Sequence, residues 1–235
     1  AVLDGGGERQ LFHVSVPANS LTLRDVTLRA THATALDGGA LLLSAGAARL
    51  ENCLVNSSVA DRGGGAIAAH GGSLTVLGCT FESSRATTGG AILVAGGETW
   101  VQASTFRANA ADRGGAIAVS SSRLRIESST FEGNTASAVG GALGVFELGT
   151  FDLKNSTFVA NHAVGQGAAV DYDPSGFVDD EWRPTFESNS FTHNEGLSTV
   201  RYTNLALWAC ERDTTSATRG MLTRVARTTT HTLNV

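Results

Sequence analysis

Residues 64–92 read GGAIAAHGGSLTVLGCTFESSRATTGGAI and contain one complete repeat of the chain. Its opening, Gly-Gly-Ala followed by a branched apolar residue, recurs five times at spacings of 26, 25, 25 and 26 residues. The first glycines of these copies are Gly38, Gly64, Gly89, Gly114 and Gly140. A weaker copy, Gln166-Gly167-Ala168-Ala169, follows after a further 26 residues. An internal period of this length indicates a repeat architecture.

A second motif, Phe-x-x-Asn or a variant of it, keeps the same period. Its best copies begin at Phe81, Phe106, Phe131, Phe158 and Phe191. Each repeat also has short segments in which apolar and polar residues alternate, which predicts strands with one buried face. Three such strands in about 25 residues leave no room for a helix. We therefore predict an all-β, right-handed parallel β-helix (a solenoid) of about seven to eight turns, with the phenylalanines stacked inside.

Glycine and asparagine columns are expected at the corners of this solenoid. Gly-Gly suits a corner that needs a positive φ, and asparagine tolerates the left-handed conformation. The asparagine column is Asn109, Asn134, Asn161 and Asn194. A propeller blade is the competing repeat fold, but it needs about 40 residues per unit.

The regular repeat ends in the C-terminal part of the chain. We predict a parallel β-helix over residues 1–211, with an insertion at 171–184 that lengthens the step from Phe158 to Phe191 to 33 residues. Residues 212–235, rich in threonine and arginine, are expected to be a cap, a linker or a tail. No signal peptide is recognised, and the chain opens within the pattern, which suggests a mature piece or a fragment of a longer protein.

Composition excludes several classes of function. The net charge is −5 and no basic stripe is present, which argues against a nucleic-acid partner. No apolar run is long enough for a transmembrane helix. The three cysteines lack metal-binding spacing. Cys53 and Cys79 fall at the same inward position on neighbouring turns, and we expect two packed free thiols.

The paired Gly-Gly-Ala-Ile and Phe-x-x-Asn motifs resemble the repeats of the chlamydial polymorphic outer membrane proteins. They are also similar to related right-handed β-helix repeat proteins of other bacteria and of algae. The resemblance covers roughly residues 21–194 and is specific for the fold. It implies a surface or extracellular protein, since that class includes adhesins and passenger domains of secreted surface proteins. The membrane-anchoring barrel that ends the chlamydial proteins is not recognisable in this sequence.

The outward columns hold few candidates for chemistry. Neighbouring turns place Arg24 beside Glu51 and Glu127 beside Lys154, and such pairs mainly fix the register. Trp100 is the exception, because it points outward with Arg125 on the next turn. It is a candidate sugar platform, or alternatively a ring shielded by arginine stacking. The histidines fall at different points of the repeat, so no metal site built on them is expected.

The insertion is the other candidate binding site. By the period, Asp171 falls at an inward position held by Leu43 and Val94 on earlier turns, where an unpaired carboxylate is costly. Either the strand ends early and Asp171 turns to solvent, or the acidic residues of the segment bind a cation, with calcium as the expected ion. Those residues are Asp171, Asp173, Asp179, Asp180 and Glu181, and Trp182 would form one wall of a ligand pocket.

These observations favour a non-enzymatic extracellular or surface module, structural or adhesive, that contacts proteins or glycans along a rigid rod. One alternative is a polysaccharide lyase, glycoside hydrolase or glycan-binding domain on the same scaffold. Another is a subunit of a larger filament or assembly. No cofactor is expected apart from calcium.

Overall fold

A computed structural model describes residues 1–173, 184–203 and 230–233 of the chain. Every regular element in these ranges is a β-strand, and strands of successive repeats pair in parallel. The chain therefore winds into a parallel β-solenoid of about seven turns, which confirms the fold class predicted from the repeat. In the described ranges no helix has the length and apolarity needed to cross a membrane.

Three long sheets form the walls of the solenoid. Sheet A contains β1 (Val2–Asp4), β4 (Thr27–Arg29), β8 (Leu54–Asn56), β12 (Thr80–Glu82), β15 (Thr105–Arg107), β19 (Thr130–Glu132), β23 (Thr157–Val159) and β27 (Ser190–Thr192). Sheet B contains β2 (Phe12–Val14), β6 (Leu41–Leu43), β10 (Ile67–Ala69), β13 (Ile92–Val94), β17 (Ile117–Ser120), β21 (Leu143–Phe146), β25 (Val170–Asp173), β28 (Val200–Thr203) and β29 (Thr230–Leu233). Sheet C contains β3 (Ser20–Arg24), β7 (Ala47–Glu51), β11 (Ser73–Leu77), β14 (Glu98–Gln102), β18 (Arg123–Glu127), β22 (Thr150–Lys154) and β26 (Thr185–Glu187).

A narrow fourth face lies between sheets A and B. It is built from β5 (His32–Ala33), β9 (Val59–Ala60), β16 (Ala110–Arg113), β20 (Thr135–Val139) and β24 (His162–Ala163). Single bridges from Arg85 to Val59 and to Ala110 make this face continuous from turn to turn. At the far end of sheet B, β29 pairs with β28 in the antiparallel sense. A strand from within residues 212–235 thus adds to the sheet rather than continuing the coil.

One column of the core is a stack of phenylalanine rings along the axis. The rings of Phe81, Phe106, Phe131 and Phe158 are fully buried, with successive centroids 4.9, 4.9 and 4.6 Å apart. Their planes are within 5° of parallel, so the predicted phenylalanine column is confirmed. The spacing follows from the turn-to-turn distance of about 4.8 Å that backbone pairing imposes.

The asparagine column is buried and acts as a ladder of hydrogen bonds. Asn134 Nδ2 donates to Asn161 Oδ1 at 2.9 Å and to the Phe106 carbonyl at 3.0 Å. The left-handed residues of this corner are not the asparagines but the residues immediately before them, Ala108 (φ 52°) and Ala160 (φ 53°) among them. The prediction of left-handed asparagines is therefore wrong, because the preceding residue makes the turn and the asparagine side chain bonds to the neighbouring turns.

The paired glycines make the corner before sheet B. The first glycine is left-handed, as at Gly140 (φ 69°). A Cβ on the second would lie about 2 Å from a carbonyl oxygen of the next turn, as Gly90 shows with 2.1 Å to Gly115. In the weak copy the left-handed residue is Gly167 (φ 65°), so Gly167 rather than Gln166 aligns with Gly140. The predicted alignment of that copy is wrong by one residue.

The inward position two residues before the phenylalanines carries small polar side chains. Their column contains Cys53, Cys79, Ser104, Ser129, Ser156 and Asn189. Ser104 Oγ accepts the Cys79 N–H at 3.1 Å, and Cys79 Sγ accepts the Cys53 N–H at 3.4 Å. Both thiols are free and buried. Burial raises the pKa of Cys79 to about 12, so this thiol is a packed, protonated group.

Candidate functional site

A groove runs along the narrow fourth face, with a volume of about 570 Å³. We call it the alanine groove, because Ala60, Ala86, Ala111 and Ala136 form its bottom. One rim consists of Val59, Arg85, Ala110, Thr135 and His162, and the other of Asp61, Thr87, Asp112, Ser137 and Val164. The groove runs along the solenoid axis and crosses five turns.

The groove follows from the local sequence of each repeat. A buried serine or asparagine ends the turn after sheet A, as Ser84 and Asn109 do. The residues one and three positions later form the two rims, and the alanine between them is nearly buried in most turns, as Ala60 and Ala136 are. Because this alanine is buried, the outward side chains of the rim residues stand above it on both sides.

The acidic rim begins at Asp61, whose carboxylate is held by two donors. The Ala35 N–H donates to Oδ2 at 2.6 Å, and His32 Nε2 lies 3.1 Å from Oδ1. The backbone hydrogen bond from Ala35, followed by the one from His32, lowers the pKa of Asp61 below its ordinary value. Asp61 is therefore a fixed, solvent-exposed acceptor at neutral pH.

Two turns further along, Asp112 provides a second acceptor on the same rim. Ser137 Oγ donates to Asp112 Oδ1 at 2.5 Å, which links neighbouring turns. Between the two acids, Thr87 Oγ1 donates to the Asp61 carbonyl at 2.9 Å. This rim thus presents carboxylate and hydroxyl oxygens in positions fixed by hydrogen bonds.

The opposite rim supplies the donors. Arg85 and His162 are exposed there, and neither side chain has an ion pair or a hydrogen bond within the described ranges. Thr135 lies between them and is also exposed. The groove therefore has unengaged donor groups on one side and fixed acceptor groups on the other, an arrangement that suits a ligand rich in hydroxyl groups.

The structure brings Trp100 and Arg125 together as neighbours on β14 and β18, as expected. Trp100 is 37% exposed on the outer face of sheet C. Arg125 Nε lies 3.8 Å from Asp152 Oδ2, and the cation–π contact found among the described residues joins Arg113 to Phe146 instead. Trp100 is an exposed aromatic ring on a flat surface.

The structure contradicts the surroundings predicted for Asp171. It pairs in register with Gly144 on the outer side of sheet B, while Tyr172 takes the inward position. The strand does not end early, since β25 continues to Asp173, and Asp171 is fully buried rather than solvated. Arg201 binds both Asp171 oxygens and also donates to Asp173 Oδ2 at 2.9 Å.

Burial raises the pKa of Asp171, and the ion pair with Arg201 opposes that rise. The same contact raises the pKa of Arg201, so we assign an ion pair. The structure thus brings Asp171 and Asp173 together around the guanidinium group of Arg201. Asp179, Asp180, Glu181 and Trp182 lie outside the described residues. No group of three His, Cys, Asp or Glu side chains within the described ranges is arranged to hold a metal ion.

Reading the sequence missed the alanine groove. The signal in the sequence is an alanine two residues after the buried threonine, serine or asparagine in six successive repeats. These alanines are Ala33, Ala60, Ala86, Ala111, Ala136 and Ala163. The rims carry no repeated chemical motif, because Asp61, Thr87 and Asp112 alternate on one column. A column of alanines indicates packing and does not by itself point to a binding site.

Comparison with known proteins supports the architecture. No curated protein and no solved structure matches the chain. Residues 13–177, which are 165 of the 235, match the family described as the right handed beta helix region. The matched span begins in β2 and includes all five turns of the alanine groove. The chain therefore belongs to the right-handed β-helix family.

Proposed function

We propose that this protein is a non-enzymatic binding scaffold, extracellular or at the cell surface, which holds an extended neutral glycan in the alanine groove. The observation that carries the proposal is the groove itself, which crosses five turns and has donors at Arg85, Thr135 and His162 on one rim and acceptors on four turns of the other. Sugar hydroxyls both donate and accept hydrogen bonds, so one ligand satisfies both rims.

The backbone around the groove favours a glycan over a peptide. Peptides that bind sheets usually add a strand at a free edge. The short strands under the groove already pair with one another, as β16 pairs with β20 and β20 with β24. A ligand in the groove lies across these strands, so its contacts are with side chains. An extended peptide there would leave much of its own backbone without partners.

The charges of the rims favour a neutral ligand. Asp61 and Asp112 stand on one side and Arg85 on the other. A strongly anionic polymer is repelled by the two carboxylates, and a strongly cationic one is repelled by the guanidinium. Hydroxyl groups bind well to both kinds of side chain.

The state of the groove carboxylates supports binding without catalysis. A glycoside hydrolase of the common type needs one carboxyl group that remains protonated as the general acid. The lowered pKa of Asp61 keeps it ionised. Asp112 is engaged by Ser137. Release of shorter saccharides from a bound polymer would instead favour the polysaccharide lyase or glycoside hydrolase alternative.

The surface location and the adhesive role are supported by the resemblance to the chlamydial polymorphic outer membrane proteins and to related repeat proteins.

Two further proposals concern calcium and assembly. Calcium binding by the acidic segment depends on residues other than Asp171, which is engaged by Arg201. Assembly into a larger filament would place copies of the rod end to end or side by side. Calcium binding should raise the melting temperature at millimolar calcium. Assembly should give species larger than the monomer in analytical sedimentation.

The glycan proposal is tested by blocking the groove. Ala110 lies on a rim between Arg85 and Thr135, and Ala110→Trp should prevent retention on immobilised β-glucan, mannan, xylan or chitin. Ala47→Trp makes the same change at an exposed alanine of sheet C and should leave retention unchanged. Equal retention of both variants, or no retention of the unaltered protein on any of these polymers, would contradict the proposal.

A further inference from the structure

We propose that the alanine groove binds its glycan one sugar unit per turn, and that its ligand is an extended β-linked chain of at least five units. This inference rests on the proposed function and adds the class of linkage and the length of the site. It is carried by the periodicity of the groove, whose rims are contributed in matched pairs by successive turns.

Each of the five turns supplies one residue to each of the two rims. The pairs are Val59 with Asp61, Arg85 with Thr87, Ala110 with Asp112, Thr135 with Ser137, and His162 with Val164. Four of the five turns offer a polar side chain on the acceptor rim, and the fifth offers His162 on the donor rim. A ligand that contacts every turn therefore finds at least one polar partner at each step.

The pairs stay in register along the whole groove. Arg85 pairs with Ala110, Ala110 with Thr135, and Thr135 with His162, without a slip. A register shift occurs after Ala111 on β16, but the extra residue is taken up beyond Ser137. The hydrogen bond between Ser137 and Asp112 shows that this rim remains aligned across the shift.

The period of the groove selects the linkage of the ligand. Neighbouring turns are about 4.8 Å apart, which is set by backbone pairing and cannot adjust to a ligand. In an extended chain of β-1,4-linked pyranoses, each unit advances by nearly the same distance. An α-1,4-linked glucose chain curls and leaves a straight groove after a few units. Successive units of such a β-linked chain face in opposite directions, so each rim meets the two oxygen-bearing edges of the chain in alternation, one unit per turn.

The length of the site predicts how affinity changes with chain length. We expect calorimetric titration with β-1,4-linked glucose, mannose, xylose or N-acetylglucosamine oligomers of two to seven units to show rising affinity up to five units. The expected gain is roughly three- to tenfold per unit, the factor that one net hydrogen bond contributes. Beyond five units the affinity should stay constant. α-1,4-linked glucose oligomers should show no such rise.

Shortening the groove at one end tests the register directly. His162→Ala removes the polar contact of the fifth turn and should move the plateau from five units to four. His193→Ala changes an exposed histidine that lies outside the groove and should leave the plateau at five. Affinity that is independent of chain length, or that rises equally for α-linked oligomers, would overturn this inference while leaving glycan binding intact. Loss of the plateau shift in His162→Ala would overturn it as well.

Discussion

Inside the solenoid, single polar side chains complete the hydrogen bonding of the neighbouring turn. The Asn109, Asn134, Asn161 and Asn194 column does so at one corner, and the thiol and hydroxyl column of Cys79 and Ser104 does so at another. Each member bonds a backbone group that the sheets leave unpaired at the corner. Buried polar groups are stabilising only when all their partners are present, so these columns are sensitive to the loss of one member.

Asn134 is the clearest test at the residue scale. Its amide donates to Asn161 and to the Phe106 carbonyl, and its Oδ1 accepts from the Asn109 N–H at 3.1 Å. Asn134→Ala leaves these buried groups without partners, and we expect a loss of about 3 kcal/mol or more in the free energy of unfolding. Urea denaturation followed by circular dichroism measures it.

Asn134→Ser provides the matched control, because Ser58 occupies the same column on an earlier turn and its Oγ accepts a hydrogen bond from Thr31 Oγ1 at 2.8 Å. Serine retains one polar atom there, so the loss should be intermediate. A loss below about 1 kcal/mol for Asn134→Ala would show that the ladder is not a significant source of stability.

At the scale of strands, the sequence predicts most of the register. Because Gly-Gly-Ala and phenylalanine recur at one period, they predict which residues of neighbouring turns lie side by side, as Phe106 and Phe131 do. The prediction fails at β25, where Gln166 was aligned instead of Gly167. The left-handed φ of Gly167 and the pairing of Val170 with Leu143 fix the alignment, and Gly167-Ala168-Ala169-Val170 also keeps the alanine and the branched apolar residue of the repeat. That one-residue slip placed Asp171 on the wrong face.

The Asp171–Arg201 pair joins β25 to β28 and can be tested by a double-mutant cycle. Arg201→Leu leaves the fully buried Asp171 carboxylate without its cation, which should cost about 3–5 kcal/mol in the free energy of unfolding. Asp171→Ala combined with Arg201→Leu should recover most of the loss, because Ala118 already fills this position on an earlier turn. Denaturant unfolding of the four proteins gives the coupling energy. Additive losses would contradict a role for the pair in joining these strands.

At the scale of the whole molecule, the fold could be predicted and the groove could not. Strand, corner and core residues such as Phe106 and Gly90 must repeat, because every turn meets the same packing problem. The rim residues Asp61, Thr87 and Asp112 are free to differ from turn to turn, so no period reveals them. The concave shape itself results from where the chain bends between sheets A and B.

Alkaline titration gives a prediction for the whole solenoid. Burial raises the pKa of Cys79 from its ordinary value of 9.0 to about 12, and it raises the pKa of Tyr172 from 10.0 to about 12. Both groups lose their protons more readily in the unfolded chain than in the folded one. Their contribution to stability is therefore complete below about pH 9 and is lost as the pH rises toward 12.

The melting temperature should accordingly be flat between pH 7 and 8.5 and fall steeply between pH 9 and 12. Cys79→Ser combined with Tyr172→Phe removes both titrating groups while keeping a hydroxyl at the first site, as Ser104 has, and a ring at the second. The decline of the melting temperature above pH 9 should be clearly shallower in this variant. The comparison uses the slopes against pH, because the substitutions also change packing. Equal slopes in the two proteins would show that alkaline unfolding begins elsewhere in the molecule.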